Sequence, residues 1–201
     1  MILGTMPRPP SVLSIFMAAA IFTCALTLSG CIPLAITGVV ATAQVATDRR
    51  TTGAQLDDEL IADKTAAQVL ERFKGNDVHV NVTSYNGNVL LTGEVPFDSV
   101  KTEIGEIAGR MPKARSVQND LLIGAATGLG SRSNDTLTTS KVKARFVETN
   151  QFQINHVKVV TERGIVYLLG IVRPEEGNAA AEIARTTSGV QRVVKVFEYI
   201  N

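Results

Sequence analysis

The chain has 201 residues, of which 45% are hydrophobic and 19% charged, and its formal net charge is +1. These values are typical of a globular protein and exclude a disordered or collagen-like chain. The charges are unevenly placed, because residues 11–47 carry none and Arg8 is the only charged residue before Asp48. Two segments with different roles therefore meet near residue 48.

The N-terminal segment has the layout of an export signal. An apolar stretch from Val12 to Leu26 follows Arg8 and ends in the tetrapeptide Leu28-Ser29-Gly30-Cys31. This tetrapeptide resembles the bacterial lipobox, in which the cysteine sulfur is acylated and the chain is cleaved before the cysteine. We therefore predict a signal peptide over residues 1–30 and lipid attachment at Cys31.

An uncleaved transmembrane helix is the alternative, since 18 or more uncharged residues are enough to span a bilayer. Pro33 and Gly38 argue against a helix that continues past Cys31. Translation could also start at Met6 instead of Met1, because Met6 precedes the same apolar stretch. Removal of Cys24 with the signal peptide would leave a single cysteine, which excludes an intrachain disulfide.

Residues 31–55 are predicted to form the lipidated N-terminus and a flexible tether, because they are rich in Ala, Val, Thr and Gly. A short helix over residues 35–47 beside the acyl chains is the alternative. Such a helix would have no polar face, which disfavours an amphipathic interfacial helix. Ile32 stands where lipoproteins retained at the inner membrane commonly carry Asp, so the resemblance to this class favours the outer membrane.

The remaining sequence contains one unit twice. Residues 78–82 match residues 155–159, and residues 86–93 match residues 163–170, both at an offset of 77. Each unit has about 65 residues, which is too long for a solenoid repeat and suits a small domain. We predict a first domain over residues 56–123, a linker over 124–134 and a second domain over 135–201.

Within each unit the hydrophobic spacing predicts the order α-β-β-α-β. An alternating strand at residues 78–82 is followed by an Asn86-Gly87 hairpin and a partner strand at 89–95. A second helix and the closing strand at 117–123 complete the unit. We expect an α+β fold in which two helices cover one face of a three-stranded sheet.

The first helix of each unit should bury an apolar stripe. The predicted core positions are Leu60, Ala66, Ala67, Leu70 and Phe73 in the first domain, and Thr139, Val142 and Phe146 in the second. Gly93 and Gly170 fall inside strands, where we expect a bulge or a close helix approach rather than a ligand site.

The strand endings Leu-Thr-Gly-Glu-Val (91–95) and Leu-Leu-Gly-Ile-Val (168–172), each followed by a helix and a closing strand, resemble the BON domain. Residues 47–53 and 128–136 extend the likeness, so the chain is similar to dual-BON periplasmic lipoproteins. The resemblance implies attachment to the inner face of the outer membrane and binding of an anionic phospholipid, phosphatidylglycerol or cardiolipin, by the second domain. It also implies a role in envelope integrity and enrichment at division sites.

The charge distribution separates the two domains. Residues 48–123 hold nine Lys or Arg and twelve Asp or Glu, whereas residues 124–201 hold ten and seven. The net charges are therefore −3 and +3. A basic domain is the one expected to meet an anionic membrane surface.

One helix face in the second domain is the predicted membrane-binding site. At 100° per residue, the side opposite Val142 and Phe146 carries the following residues: Leu137, Ser140, Lys141, Ala144 and Arg145. The leucine could enter the lipid headgroups while the two cations meet phosphates. An ordinary solvated helix face with one apolar residue is the alternative. Relatives in this family carry an aromatic residue where this chain has Leu137, which implies weaker binding here.

Nothing in the sequence indicates an enzyme. His79 and His156 occupy equivalent positions in the two units, so we expect both to face solvent without a ligand or catalytic role. No Ser-His-Asp or metal-ligand spacing is present, and we predict no cofactor, no metal and no nucleic-acid partner. The alternative function is a scaffold for an outer-membrane assembly factor or a cell-wall remodelling protein.

Overall fold

The computed structural model describes residues 48–75 and 77–201. The predicted signal peptide, Cys31 and residues 32–47 of the predicted tether lie outside the described residues. Among the residues that are described, no helix is long and apolar enough to cross a membrane.

The first domain is built from α1 (Thr52–Arg72), β1 (His79–Tyr85), β2 (Asn88–Val95), α2 (Asp98–Gly109), β3 (Ser116–Asn119) and β4 (Leu122–Ile123). Strands β1 and β2 are antiparallel, and β2 is parallel to both β3 and β4. The closing strand is thus split at residues 120–121, and its two pieces pair with successive parts of β2.

The second domain consists of α3 (Leu129–Thr149), a short 3-10 helix (Ile154–His156), β5 (Val157–Glu162), β6 (Ile165–Val172), α4 (Pro174–Arg185) and β7 (Arg192–Tyr199). Its sheet order is β5-β6-β7, with an antiparallel and a parallel pair. Both domains therefore have the predicted α-β-β-α-β order, and the predicted α+β fold is confirmed.

The first helix of each domain begins earlier than the predicted domain start. Helix α1 begins at Thr52 because the Thr51 hydroxyl accepts a hydrogen bond from the Ala54 amide at 3.1 Å. Helix α3 begins at Leu129, inside the segment predicted as a linker. The non-helical connection between the domains is thereby shortened to residues 124–128.

Each domain has its own core between the helices and one face of the sheet. In the first domain Ile61 and Val69 from α1 pack with Ile104 from α2 over Val89 and Leu91 of β2. In the second, the corresponding cluster contains Val142, Phe146, Val166, Leu168 and Ile183.

Four of the five core positions predicted for α1 are wrong. Leu60 and Leu70 are 52% and 72% exposed, and Ala66 and Ala67 are exposed as well, although Phe73 is buried as predicted. The buried positions of this helix are Asp58, Ile61, Thr65 and Val69. In α3 the buried neighbour of Val142 and Phe146 is Thr138, whereas the Thr139 hydroxyl donates to Thr161 Oγ1 at 2.7 Å.

A buried aspartate sets the rotation of both helices. Asp58 accepts hydrogen bonds from the backbone amides of Asn86 and Gly87 at 2.7 and 2.8 Å, and Asp135 accepts the equivalent bonds from Arg163 and Gly164 at 2.9 and 2.8 Å. Each carboxylate thus ties its helix to the β-hairpin of the same domain. Without the carboxylate, the backbone amides of each tight turn would be covered by the helix and would have no hydrogen-bond acceptor.

The two sheets pack against each other through the faces that carry no helices. Tyr85 and Leu90 of the first sheet form a buried cluster with Tyr167 and Leu169 of the second. The layers therefore follow the order helices, sheet, sheet, helices. Polar contacts join the domains around this cluster, including Asn81 Nδ2 to Glu162 Oε2 at 2.7 Å and Asn86 Nδ2 to Glu198 Oε2 at 2.8 Å.

Gly93 marks a close approach between two strands, and Gly170 marks one between β6 and the end of the short 3-10 helix. A Cβ atom at Gly93 would lie 2.0 Å from the carbonyl oxygen of His79, and one at Gly170 would lie 2.2 Å from that of His156. No side chain can occupy such a position without moving the backbone. The expectation of a close helix approach is therefore corrected for Gly93, which meets β1 instead.

Candidate functional site

The structure brings the predicted membrane-binding residues to one face of α3. Leu137 is 58% exposed, and Ser140, Lys141 and Ala144 are exposed beside it. These four residues lie opposite the buried positions of the helix, so their side chains meet solvent together. Arg145 differs from them, because it is only half exposed.

Arg145 is used inside the domain. Its Nη1 atom donates to the carbonyl of Ile183 at 2.9 Å and to the hydroxyls of Thr186 and Thr187 at 3.0 and 2.9 Å. These acceptors lie at the C-terminus of α4, where the helix dipole favours a cation. This contact positions α3 against α4 and engages one nitrogen of the guanidinium, so Arg145 as a phosphate ligand stays a prediction.

Leu137 and Lys141 also line a surface cavity of about 480 Å³. The opposite wall is the β5–β6 hairpin, with Arg163 and Gly164, and Gln191 contributes as well. Two cationic side chains thus approach one cavity next to an exposed leucine. The Asp135 carboxylate fixes this geometry, because it binds the backbone of the hairpin from α3.

Arg163 is a site residue that the sequence analysis did not single out. It stands at the first turn position of the hairpin with a φ of 51°, where the first domain has Asn86 with the same φ. Asn is common in the left-handed region and Arg is not. The sequence signal that could have singled out Arg163 was therefore its alignment with the asparagine of the Asn-Gly turn in the first domain.

The two histidines do not face solvent as predicted. The His79 side chain is 14% exposed, and its Nδ1 lies 2.9 Å from Glu94 Oε2 on the neighbouring strand. His156 is buried, with Nδ1 3.7 Å from Glu176 Oε1. Carboxylates on the adjacent strand and on α4 account for both placements, and the sequence repeat did not reveal them.

The end of the tether is held by the second domain. Arg49 forms a double hydrogen bond with Glu176 at 2.6 and 2.9 Å and also donates to the carbonyl of Ile171 at 2.8 Å. This ion pair is the main reason that the pKa of Glu176 is lowered to about 2. The neighbouring Arg50 instead contacts the first domain, where it binds Asp58 and lies over the Tyr85 ring.

Comparison with known proteins agrees with this architecture. The model of the BON domain matches residues 57–125 and 134–201, which together make up most of the chain. The chain belongs to the BON-domain family. The family resemblance read from the strand endings is thereby confirmed.

Several relatives are similar over long segments. The chain is 38% identical to "Outer membrane lipoprotein DolP" of Haemophilus influenzae (strain Rd), over 96% of this chain and 98% of that protein. It is 32% identical to "21 kDa hemolysin" of Actinobacillus pleuropneumoniae, over 76% and 79% of the two chains, and 28% identical to "Osmotically-inducible protein Y" of Escherichia coli K12, over 69% and 70%. The first of these similarities supports an outer-membrane lipoprotein of the BON-domain family.

Proposed function

We propose that this protein is anchored by acylated Cys31 to the periplasmic face of the outer membrane and binds anionic phospholipid through its second domain. The observation that carries the proposal is the exposed Leu137 beside Lys141, at a cavity that Arg163 lines from the opposite side. On this proposal the protein acts by binding, without catalysis, and supports envelope integrity with enrichment at division sites. The lipobox, Ile32 and the similarity to DolP support the location.

The chemistry of the site suits a lipid with a negative headgroup. A leucine side chain transferred from water into an apolar layer contributes about 1.5–3 kcal/mol, and a cation near an anionic surface about 1 kcal/mol. Lys141 supplies one such cation, and Arg163 supplies a second that also faces the buried Glu94 carboxylate at 3.9 Å. The second domain as a whole carries a net charge of +3. Phosphatidylglycerol and cardiolipin both present the required phosphate next to acyl chains.

Vesicle co-sedimentation of residues 44–201, which lack the acylated cysteine, tests this proposal. We expect binding to phosphatidylglycerol vesicles but not to phosphatidylcholine vesicles. The binding should weaken at high salt, because the screening length falls from about 10 Å at 0.1 M to about 3 Å at 1 M. Equal binding to both vesicle types would contradict the assignment of an anionic-lipid site.

A double variant, Leu137→Glu with Lys141→Glu, locates the site. Loss of the leucine and of one cation removes about 2.5–4 kcal/mol, so affinity should fall at least about fiftyfold. Leu60→Glu with Lys64→Glu is the matched control, because these residues stand 77 positions earlier on α1. Unchanged binding by the folded α3 variant, or equal loss in both variants, would refute the α3 site.

A protein-interaction scaffold is the second candidate, and one surface favours it. Leu56, Leu60 and Leu70 on α1 are 57%, 52% and 72% exposed. At 100° per residue they lie within about 80° of one another and form an apolar stripe that the exposed Asp63 interrupts. Complementation of a deletion strain separates the candidates, with detergent sensitivity of the envelope as the readout. The scaffold function requires that Leu60→Glu with Leu70→Glu fails to complement, and lipid binding requires that the α3 variant fails.

A further inference from the structure

Three side chains with metal-binding atoms meet where the two sheets face each other. His79 and Glu94 belong to the first domain and Glu162 to the second. One ligand atom from each residue lies within 4.8 Å of the other two. None of its three members lines the cavity beside Leu137, but Arg163, which does line that cavity, lies 3.9 Å from Glu94 Oε1 and connects the two places.

Glu94 is the residue that points most directly to a missing cation. Its side chain is fully buried, and its Oε1 atom accepts no hydrogen bond within the described part of the chain. The guanidinium of Arg163 lies 3.9 Å from this atom, which is too far for a hydrogen bond. A fully buried carboxylate oxygen with one distant ion pair and no hydrogen bond is poorly compensated, so a cation bound directly to it would be favourable.

The second carboxylate increases this need. Glu162 is also buried, at 5% exposure, and one of its carboxylate oxygens lies within 4.8 Å of an oxygen of Glu94. Two buried carboxylates at this separation repel each other unless a cation or a proton lies between them. His79 supplies an imidazole nitrogen, a type of ligand atom that transition metals prefer and magnesium does not.

Neighbouring groups orient both carboxylates and leave oxygens for a metal. The amide and hydroxyl of Thr127 donate to Glu94 Oε2 at 3.1 and 3.3 Å, and Asn81 Nδ2 donates to Glu162 Oε2 at 2.7 Å. Metal-ligating carboxylates are typically held in this way by hydrogen bonds from residues behind them. Asn81 and Glu162 also line a surface cavity of about 320 Å³ with His79, which provides a route for an ion from solvent.

We propose that His79, Glu94 and Glu162 bind one Zn²⁺ ion that joins the two domains. Zinc accepts one histidine and two carboxylates as a ligand set, and a water molecule would complete the tetrahedron. Because the ligands come from both sheets, the ion would hold the sheet–sheet contact closed. The site is thus a structural clamp, and its test measures Zn²⁺ affinity without any lipid.

Calorimetric titration with ZnCl₂ tests the proposal on the full chain, purified in detergent and stripped of metal with a chelator. We expect one Zn²⁺ per chain and a higher unfolding temperature in its presence. His79→Gln and Glu162→Gln should each weaken binding by at least about tenfold, the range found even for residues behind the ligands. Glutamine is polar and similar in size to both side chains, and it can still form hydrogen bonds at these positions. Both variants should therefore fold.

His156→Gln and Glu198→Gln are the matched controls, since one changes the histidine of the second repeat and the other a carboxylate at the same domain interface. Neither should alter Zn²⁺ affinity. The proposal is overturned if the unchanged chain shows no saturable Zn²⁺ binding, or if His79→Gln and Glu162→Gln bind it as tightly as the controls.

Discussion

Asp57 and Asp58 are adjacent residues of the same type whose removal should have very different consequences. Asp58 is 3% exposed and accepts hydrogen bonds from Ser84, Asn86, Gly87 and Arg50. Asp57 forms one surface ion pair with Lys113 at 2.7 Å. The structure therefore provides an internal control one residue away from the perturbation.

The magnitude of the Asp58→Ala effect follows from the donors that lose their acceptor. Two of them are backbone amides of the β1–β2 turn, and each unsatisfied buried amide costs about 1–3 kcal/mol. We expect a loss of about 3 kcal/mol or more in the free energy of unfolding. Asp57→Ala removes only an exposed ion pair, which contributes about 0–1 kcal/mol.

Thermal unfolding of residues 44–201 measures the difference. For a unit of this size 1 kcal/mol corresponds to about 2–4 °C, so Asp58→Ala should lower the midpoint by about 6–12 °C and Asp57→Ala by less than about 4 °C. Equal shifts for the two variants would refute the role assigned to Asp58. They would mean that solvent or a rearranged turn satisfies the hairpin amides.

The same residue predicts a pH dependence. Burial raises the pKa of Asp58, but the bonds from Gly87, Ser84, Asn86 and Arg50 outweigh burial, and the net pKa is lowered. A lowered folded-state pKa stabilises the fold above the unfolded value near 4, and that stability is lost as pH falls through the folded value. Asp58→Asn should flatten the acid side of the stability profile between these two values.

Three further variants test single contacts. Gly170→Ala should prevent folding of the second domain, because its Cβ would lie 2.2 Å from a backbone carbonyl, and circular dichroism would detect the loss. Arg145→Ala should lower the free energy of unfolding by about 1–3 kcal/mol in urea titrations, since three acceptors at the end of α4 lose their donor. Glu176→Gln should remove the contribution of the Arg49 pair, which in the parent is present above the unfolded pKa near 4.5 and is lost as pH falls toward the folded value of about 2.

The order of helices and strands could be predicted because local patterns carry it. Alternating residues at 78–82 and the Asn86-Gly87 turn are sufficient to identify a hairpin, and the repeat shows it twice. The buried face of α1 was harder to predict from the sequence, because Leu60 and Leu70 are as apolar as Ile61 and Val69 and could equally have formed the core. In the structure, α1 buries the side that places Asp58 against the hairpin. That hydrogen-bonding contact is between elements far apart in sequence, so no local pattern shows it.

Contacts between the domains could not be predicted, because no local pattern reports which sheet faces meet. Tyr167 and Leu169 lie on the helix-free side of β6, and their alternation with Val166 and Leu168 leaves both faces of the strand apolar. That composition is typical of a strand buried on both sides. It was a usable signal for a partner sheet, but it does not identify the partner, and so Glu162 could not be placed beside His79 and Glu94.

Comparison of the two first helices explains why one domain is the better candidate for lipid binding. The offset of 77 aligns Leu60 with Leu137 and Lys64 with Lys141, so both helices present a leucine and a lysine to solvent. What differs is the surrounding charge, since three acidic residues on α1 align with three neutral residues on α3: Asp57, Glu59 and Asp63 with Asn134, Thr136 and Ser140. Each acidic residue opposes an anionic surface by about as much as one lysine favours it, so on α1 the balance is repulsive. The leucine and the lysine are therefore common to both domains. The second domain is distinguished by neutral residues in place of three carboxylates and by the presence of an arginine at its hairpin.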